Sequence, residues 1–202
     1  DGGLITLNDQ RMYETAVRYH DLGLLRKTFE NHLEGRMLTG PMEGLQWRMG
    51  ELCAAVALAQ LRKLPAMVTD LRAKAAFLRD GLRRALPALA FRAVRPEDDA
   101  GILVAFDLKS AENVRFFSEA YAAEGLAYGP SSWCEPIPLI PQVAVRLKQN
   151  GVCDEDAVRR TIEMDGRMAK LAVGPLYTRA DMQDMVAASG KVLGAMRRKG
   201  MI

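Results

Sequence analysis

The sequence predicts an α/β protein in which helices and short strands alternate along 202 residues. Three observations lead to this class. Hydrophobic residues make up 49% of the chain and charged residues 26%, the ordinary balance of a folded globular protein. A long helical pattern occupies the middle of the chain. After it, short apolar runs alternate with amphipathic helical patterns, as in α/β units.

The first part of the chain predicts a strand, a helix and a long loop. Residues 3–7 form an apolar run typical of a short strand. Asp9 is placed to cap a helix over about 10–22, and Gly23 fits its C-terminal stop. Residues 24–44 carry scattered Gly, Asn and Pro, which predicts a loop of a length usually associated with function or mobility.

The strongest helical pattern begins near Met49 and runs to Leu86, with Pro87 ending it. Alanines and apolar residues at helical spacing support it. Pro65 either kinks this helix or separates two helices, because proline lacks the N–H that a helix interior needs.

The remainder predicts a strand–strand–helix–strand–helix–strand–helix unit. The predicted strands cover residues 89–94, 102–108, 125–128 and 169–173. The predicted helices cover 110–123, with Ser110 as its cap, about 154–168, and the segment after Thr178, where Asp181 suits a capping box. Four prolines between 130 and 141 predict a loop.

Composition excludes several classes of partner. The net charge of +3 is too small and too scattered to indicate nucleic acid or a membrane surface. No run of 18 apolar residues indicates a membrane span. Three widely spaced cysteines without a CxxC pair argue against a disulfide framework or structural zinc, and they suit a reducing cytoplasm.

Few residues suggest chemistry. The two histidines, His20 and His32, have no partners at metal-ligand spacing, so no metal site is predicted. His20 is interpreted as a packed residue, whereas His32 lies in the predicted long loop and is kept as a binding candidate. The GxSxG, GxxxxGK[ST] and GxGxxG motifs are not found.

Gln46 and Arg48 are the more specific candidates. An amide and a guanidinium where a loop meets a helix N-terminus suit an anion. The alternative is an ordinary helix start, in which Arg48 pairs with Glu51 at i+3. The residues alone leave both open.

Residues 44–61, GLQWRMGELCAAVALAQL, resemble the G-x-N-x-R-M-x-E-x-x-A-A-x-x-x-x-Q-L signature of the DegT/DnrJ/StrS group of pyridoxal-phosphate aminotransferases. Residues 1–9 are similar to its G-E-G-G-hydrophobic-hydrophobic-T-x-D segment. Residues 20–23 are similar to the R-x-H-G ending of the next helix, and residues 171–178 to a late strand and helix start. These matches occur in family order along nearly the whole chain.

The resemblance implies the C-terminal half of a fold-type I aminotransferase. Residues 1–64 would end the large cofactor-binding domain, 65–87 would be a bridging helix, and 88–202 a small α/β domain. The Schiff-base lysine would precede Asp1, so the chain is interpreted as a piece of a longer polypeptide that would not transaminate alone. No catalytic residue is therefore assigned within it.

The resemblance also implies site residues and partners. Gln46 stands where the family's asparagine reaches the phosphate of pyridoxal 5'-phosphate across a homodimer, and Arg48 would bind a substrate carboxylate or phosphate. Trp133 lies in the proline-rich loop where relatives often place a histidine or an aromatic residue over the substrate, and simple packing under that loop is the alternative for it. The implied reaction moves an amino group from glutamate or glutamine to a keto-sugar or keto-cyclitol. A regulatory or dehydratase-like member of the same fold is the alternative, because glutamine replaces asparagine at position 46.

Overall fold

The computed structural model describes residues 3–30, 33, 37–95, 97–126, 140–151 and 154–202. By its internal contacts the chain divides into two compact units, Asp1–Leu64 and Pro65–Ile202. Each unit is described by itself below. Both contribute to one long helix.

The first unit contains α1 (Gln10–His20), the short α2 (Lys27–Glu30) and the start of α3. Asp9 caps α1 as predicted, and its Oδ1 accepts a hydrogen bond from the Met12 N–H at 2.8 Å. The strand predicted over residues 3–7 is wrong. Leu4 is 82% exposed and Ile5 77% exposed, and no described segment pairs with them. An apolar run forms a strand only when another strand supplies its hydrogen bonds.

Helix α3 spans Glu51–Ala85 without a break, so Pro65 does not separate two helices. By length and composition alone, α3 passes the test for a membrane-crossing helix, since an 18-residue window has mean hydropathy 1.3 and none of it is buried. The sequence prediction of no spanning segment had missed this window, because polar residues interrupt the apolar run. A core helix of a soluble protein passes the same test, so the window alone assigns no membrane.

The second unit is built on a three-stranded antiparallel sheet in the order β1–β2–β3. The strands are β1 (Ala90–Phe91), β2 (Leu103–Asp107) and β3 (Met168–Ala172). In register, Phe91 pairs with Phe106, and Phe106 with Ala169. The helices of this unit, besides the second half of α3, are α4 (Ala111–Ala123), α5 (Pro141–Gln149), α6 (Glu155–Arg167) and α7 (Arg179–Arg198).

The core of the second unit lies between the sheet and the helices α3, α4 and α7. Its largest fully buried side chains include Phe106, Phe117 and Tyr121. The Phe106 and Phe117 rings meet edge to face at 5.5 Å, and Phe117 stacks on Tyr121 at 5.5 Å. Leu78 and Leu82 of α3 are fully buried in the same cluster.

Several sequence predictions can be compared with this unit. The helices over 110–123 and 154–168, the strands near 90, 104 and 170, and the capped helix after Thr178 are confirmed within a few residues. Helix α5 had been missed, because the prolines around it indicated only a loop. Of the strand predicted over 125–128, residues 125 and 126 are described and are not in a strand, which contradicts that half of the prediction; residues 127–128 and most of the loop over 129–141 lie outside the described residues.

Candidate functional site

The segment from Leu45 to Trp47 is held along the C-terminal end of α1 by backbone hydrogen bonds. The Leu45 N–H donates to the Tyr19 carbonyl at 2.6 Å, and the Trp47 N–H donates to the His20 carbonyl at 2.9 Å. Asp21 and Gln46 face each other as an antiparallel bridge. This attachment fixes the backbone of the sequence-predicted residues Gln46 and Arg48 beside Asp21.

Two glycines make this close contact possible. A Cβ at Gly44 would lie 2.4 Å from the Gly23 backbone nitrogen and 2.7 Å from the Arg18 carbonyl oxygen. Gly23 has φ +81°, and a Cβ there would lie 1.7 Å from the Met42 carbonyl oxygen. Glycine is therefore required at both positions by close backbone approach, and at Gly23 also by its left-handed conformation.

A buried carboxylate lies at the centre of the site. Asp21 is completely buried, and two arginines bind it. Arg26 Nε lies 2.5 Å from Asp21 Oδ2 and Arg26 Nη2 lies 3.3 Å from Oδ1, while Arg48 Nε lies 3.2 Å from Oδ1. The hydrogen bond from Arg26 lowers the pKa of Asp21 below its usual value against the opposing effect of burial, and the charges of both arginines add to it. Asp21 is thus held as an anion.

Gln46 also contacts the Arg48 guanidinium. In the amide orientation that satisfies both groups, the Gln46 oxygen accepts from Arg48 Nε and Nη2, each at 3.0 Å. The sequence alternative of an Arg48–Glu51 pair gives way to the pair with Asp21. Arg48 is therefore oriented by two neighbours, while 43% of its side chain stays exposed.

A second set of contacts anchors the loop that follows α2. Glu14 of α1 is completely buried and accepts hydrogen bonds from the N–H groups of Leu38 and Thr39 and from the Thr39 hydroxyl. Arg18 donates to the same hydroxyl oxygen at 3.1 Å and to the Thr39 carbonyl at 3.2 Å. Burial raises the pKa of Glu14, but the bonds from Leu38, Gln10 and Thr39 outweigh it and leave the value at about 2.

The other candidate residues fall outside this arrangement. His20 is packed, as predicted: its Nδ1 lies 2.6 Å from the Val17 carbonyl oxygen, and its ring meets Phe29 edge to face at 5.6 Å. His32 and Trp133 lie outside the described residues. Within the described ranges, no group of His, Cys, Asp and Glu side chains is arranged to hold a metal ion.

The first half of α3 presents an apolar surface. Leu52 is 81% exposed and Leu61 54% exposed, and Trp47 just before the helix is 71% exposed. Leu52 and Leu61, together with Leu4, line an open cavity of about 750 Å³, whose lining also includes Val56 and Leu58. Among the residues that the structure describes, those that line this cavity carry no charge.

Residues 1–188 match the family model of the DegT/DnrJ/EryC1/StrS aminotransferases. The chain belongs to this family. The match includes the segment that carries Gln46 and Arg48, the end of α1 with Asp21, and the sheet of the second unit. The expected resemblance is confirmed.

Solved structures of similar proteins confirm the fold. An aminotransferase from Psychrobacter cryohalolentis is 18% identical with a TM-score of 0.71, and the match covers 95% of this chain and 51% of that one. A protein of Streptococcus pneumoniae assigned as a sugar aminotransferase is 14% identical in its PMP form, with a TM-score of 0.60 and coverage of 97% and 47%. Its apo form is 15% identical, with a TM-score of 0.62 and coverage of 96% and 46%. The chain spans about half the length of these structures.

Asp21 and Arg26 are the residues that sequence reasoning missed. Arg48 was identified from its motif, but its partner could not be read from local spacing. The sequence did contain one signal for this pairing. An acidic residue at the C-terminal end of a helix is unfavourable beside the helix dipole, so Asp21 predicts a cationic side chain nearby. The resulting set of an amide and two guanidiniums has the chemistry to bind a phosphate or carboxylate group.

Proposed function

We propose that this chain is part of a pyridoxal-phosphate-dependent aminotransferase that moves an amino group from glutamate or glutamine to a keto-sugar or keto-cyclitol. The observation that carries the proposal is the orientation of Arg48 between Asp21 and Gln46, in the motif that the family shares. A guanidinium fixed in this way binds an oxyanion through two parallel N–H groups.

Each residue of the chain has a limited role in the proposed reaction. When bound, pyridoxal phosphate supplies the electron sink for amino-group transfer. Arg48 would bind the carboxylate or phosphate of a substrate, and Gln46, which contacts Arg48, would bind the phosphate of the cofactor in the partner subunit. The proton-transfer role, which the family gives to a Schiff-base lysine, is assigned to no residue of this chain.

The proposal includes a homodimer in the cytoplasm. The apolar surface around Leu52 and Leu61 supports association, because exposed apolar patches of this kind mark protein interfaces. We propose a second copy as the occupant, as the family resemblance implies. Cys53 is an exposed free thiol, which suits a reducing compartment. Sedimentation of the natural polypeptide that contains this chain tests the dimer; a monomer at micromolar concentration would contradict it.

Absorbance spectroscopy tests the reaction. The natural polypeptide is mixed with pyridoxal phosphate, and L-glutamate or L-glutamine is added. We expect a visible band of the bound cofactor that is replaced by the band of the pyridoxamine form. A bound band that ignores both donors favours the regulatory or dehydratase-like alternative. No band at all contradicts the proposal.

Two variants connect the test to this chain. In Arg48→Gln we expect the KM for the acidic substrate to rise at least about tenfold, the loss typical of one charged hydrogen bond. Arg11→Gln removes the same charge from an exposed position of α1 and serves as the matched control. Equal effects of the two variants would mean that Arg48 acts only through overall charge.

A further inference from the structure

Arg26 is not explained by the proposed role of Arg48, although it binds the same carboxylate. Asp21 carries one negative charge, whereas Arg26 and Arg48 carry two positive charges. A single guanidinium is enough to neutralise a buried carboxylate. The C-terminal end of α1 adds a partial negative charge of roughly one half, which still leaves a positive excess in the cluster.

Asp21, Arg26 and Arg48 differ in how far their side chains are exposed to solvent. Asp21 is completely buried, while 47% of the Arg26 side chain and 43% of the Arg48 side chain remain exposed. The carboxylate therefore lies inside and the two cations face solvent. Both arginines make these contacts through Nε and Nη2, and neither Nη1 meets an acceptor in the part of the chain that the structure describes. Each guanidinium carries five N–H donors, so both keep donors for a ligand.

The backbone holds the two cations at fixed positions. Asp21 ends α1, and the Leu22 N–H donates to the Leu45 carbonyl at 3.1 Å, close to Arg48 in the chain. Arg26 is fixed by its two-point contact with Asp21. Because this geometry exists before a ligand arrives, little conformational entropy is lost when an anion binds.

We propose that Arg26 and Arg48 form one oxyanion-binding subsite around Asp21, with Arg26 as a second ligand-binding residue. The ligand class is a carboxylate or phosphate group. This subsite rests on the proposed function, because the proposed reaction supplies its ligands. The amino donor carries a carboxylate, and the cofactor or a phosphorylated acceptor carries a phosphate.

Calorimetric titration of the natural polypeptide with inorganic phosphate, and separately with L-glutamate, tests the subsite. We expect at least one of the two to bind, and binding to weaken as salt is raised. Arg26→Gln and Arg48→Gln should each weaken that binding about tenfold, and Arg11→Gln should leave it unchanged. Phosphate binding that pyridoxal phosphate displaces identifies the cofactor phosphate as the source, and glutamate binding identifies the donor carboxylate.

Arg26→Lys keeps the experiment decisive if Arg26→Gln does not fold. Lysine retains the charge and the pair with Asp21 but loses the planar two-point donor. The affinity of Arg26→Lys for the anion should therefore lie between those of the wild type and Arg26→Gln. If Arg26→Gln does not fold, the affinity of Arg26→Lys should still be lower than that of the wild type. Wild-type affinity in a folded Arg26→Gln or Arg26→Lys protein would overturn the proposal, as would failure of both anions to bind. Anion binding without a cofactor band would support the subsite and contradict only the proposed reaction.

Discussion

Thr39 donates two hydrogen bonds to the carboxylate of Glu14, one from its backbone N–H and one from its hydroxyl, both at 2.7 Å. Glu14 belongs to α1, whereas Thr39 belongs to the loop that leads to Gly44 and the candidate site. This buried contact therefore determines how the loop returns to the helix. Its strength depends on the charge of Glu14, since hydrogen bonds to an ionised group are about twice as strong as neutral ones.

The first prediction concerns pH. The pKa of Glu14 falls from 4.5 to about 2 in the folded chain. A lowered folded pKa contributes stability that is fully present above the unfolded value and is lost as pH falls through the folded value. We expect the first unit to lose stability between about pH 4.5 and pH 2, measured by denaturant titration at several pH values.

Glu14→Gln provides the comparison for that experiment. The variant should be less stable at pH 7, because an amide replaces the charged acceptor, and its stability should change less between pH 4.5 and pH 2. Glu43→Gln, at an exposed loop position, is the matched control. An unchanged pH profile in Glu14→Gln would show that other carboxylates, such as Asp21, produce the acid sensitivity.

The second prediction concerns the close contact at Gly44. In Gly44→Ala, the new methyl group would lie 2.4 Å from the Gly23 nitrogen, so the segment that carries Gln46 and Arg48 must move away from α1. We expect a loss of about 1–3 kcal/mol, typical of overpacking, together with weaker anion binding. In Gly40→Ala the added methyl group meets no atom within 4 Å, so this variant should change neither the stability nor the anion binding. Matching behaviour of the two variants would refute the role of this contact.

The third prediction concerns the core of the second unit. Leu78 is completely buried in the cluster with Phe106 and Phe117. Leu78→Ala should lower the free energy of unfolding by about 2–5 kcal/mol, because it removes buried apolar atoms and leaves a cavity. Ile102→Ala, at a side chain that is 59% exposed, should cost much less. Chemical denaturation measures both, and a small effect at Leu78 would contradict the packing described.

The fourth prediction concerns the start of α7. The Thr178 hydroxyl accepts from the Asp181 N–H at 3.2 Å, and the Asp181 carboxylate accepts from the Thr178 N–H at 2.6 Å. Thr178→Ala should cost about 1 kcal/mol, the usual loss of a helix cap. Thr161→Ala removes a hydroxyl that donates to the Ala157 carbonyl within α6, and it should have little effect because such bonds do not stabilise helices. Thermal unfolding compares them; equal losses would argue against the capping box.

Local signals account for most of what the sequence predicted correctly. Asp9, Ser110 and Thr178 cap helices as expected, because a cap depends on residues only two or three positions away. The strand over residues 3–7 failed because strand formation depends on a distant partner. Helix α5 was not predicted because Pro141 was interpreted as a loop residue, although proline is favourable in the first turn of a helix.

In the candidate site too, local signals were predicted correctly and distant contacts were not. The motif identified Gln46 and Arg48, and the pairing of Arg48 with Glu51 was a reasonable local alternative. The observed partner, Asp21, is distant in sequence and meets Arg48 only because the 45–47 segment returns to the end of α1. Arg26 had no motif to mark it, and only the geometry of its contact with Asp21 reveals it.

Helix α3 has a consequence for the dynamics of this chain. Pro65 has no N–H to donate to the Leu61 carbonyl, so the hydrogen-bond ladder is interrupted where the two units divide. Side chains before it, such as Leu52, are exposed, whereas Leu78 and Leu82 after it are buried. Where no second copy covers that surface, amide protons on the two sides should therefore exchange with deuterated solvent at different rates, slowly after Pro65 and rapidly before it. A helix that is continuous in geometry would then open in two separate steps.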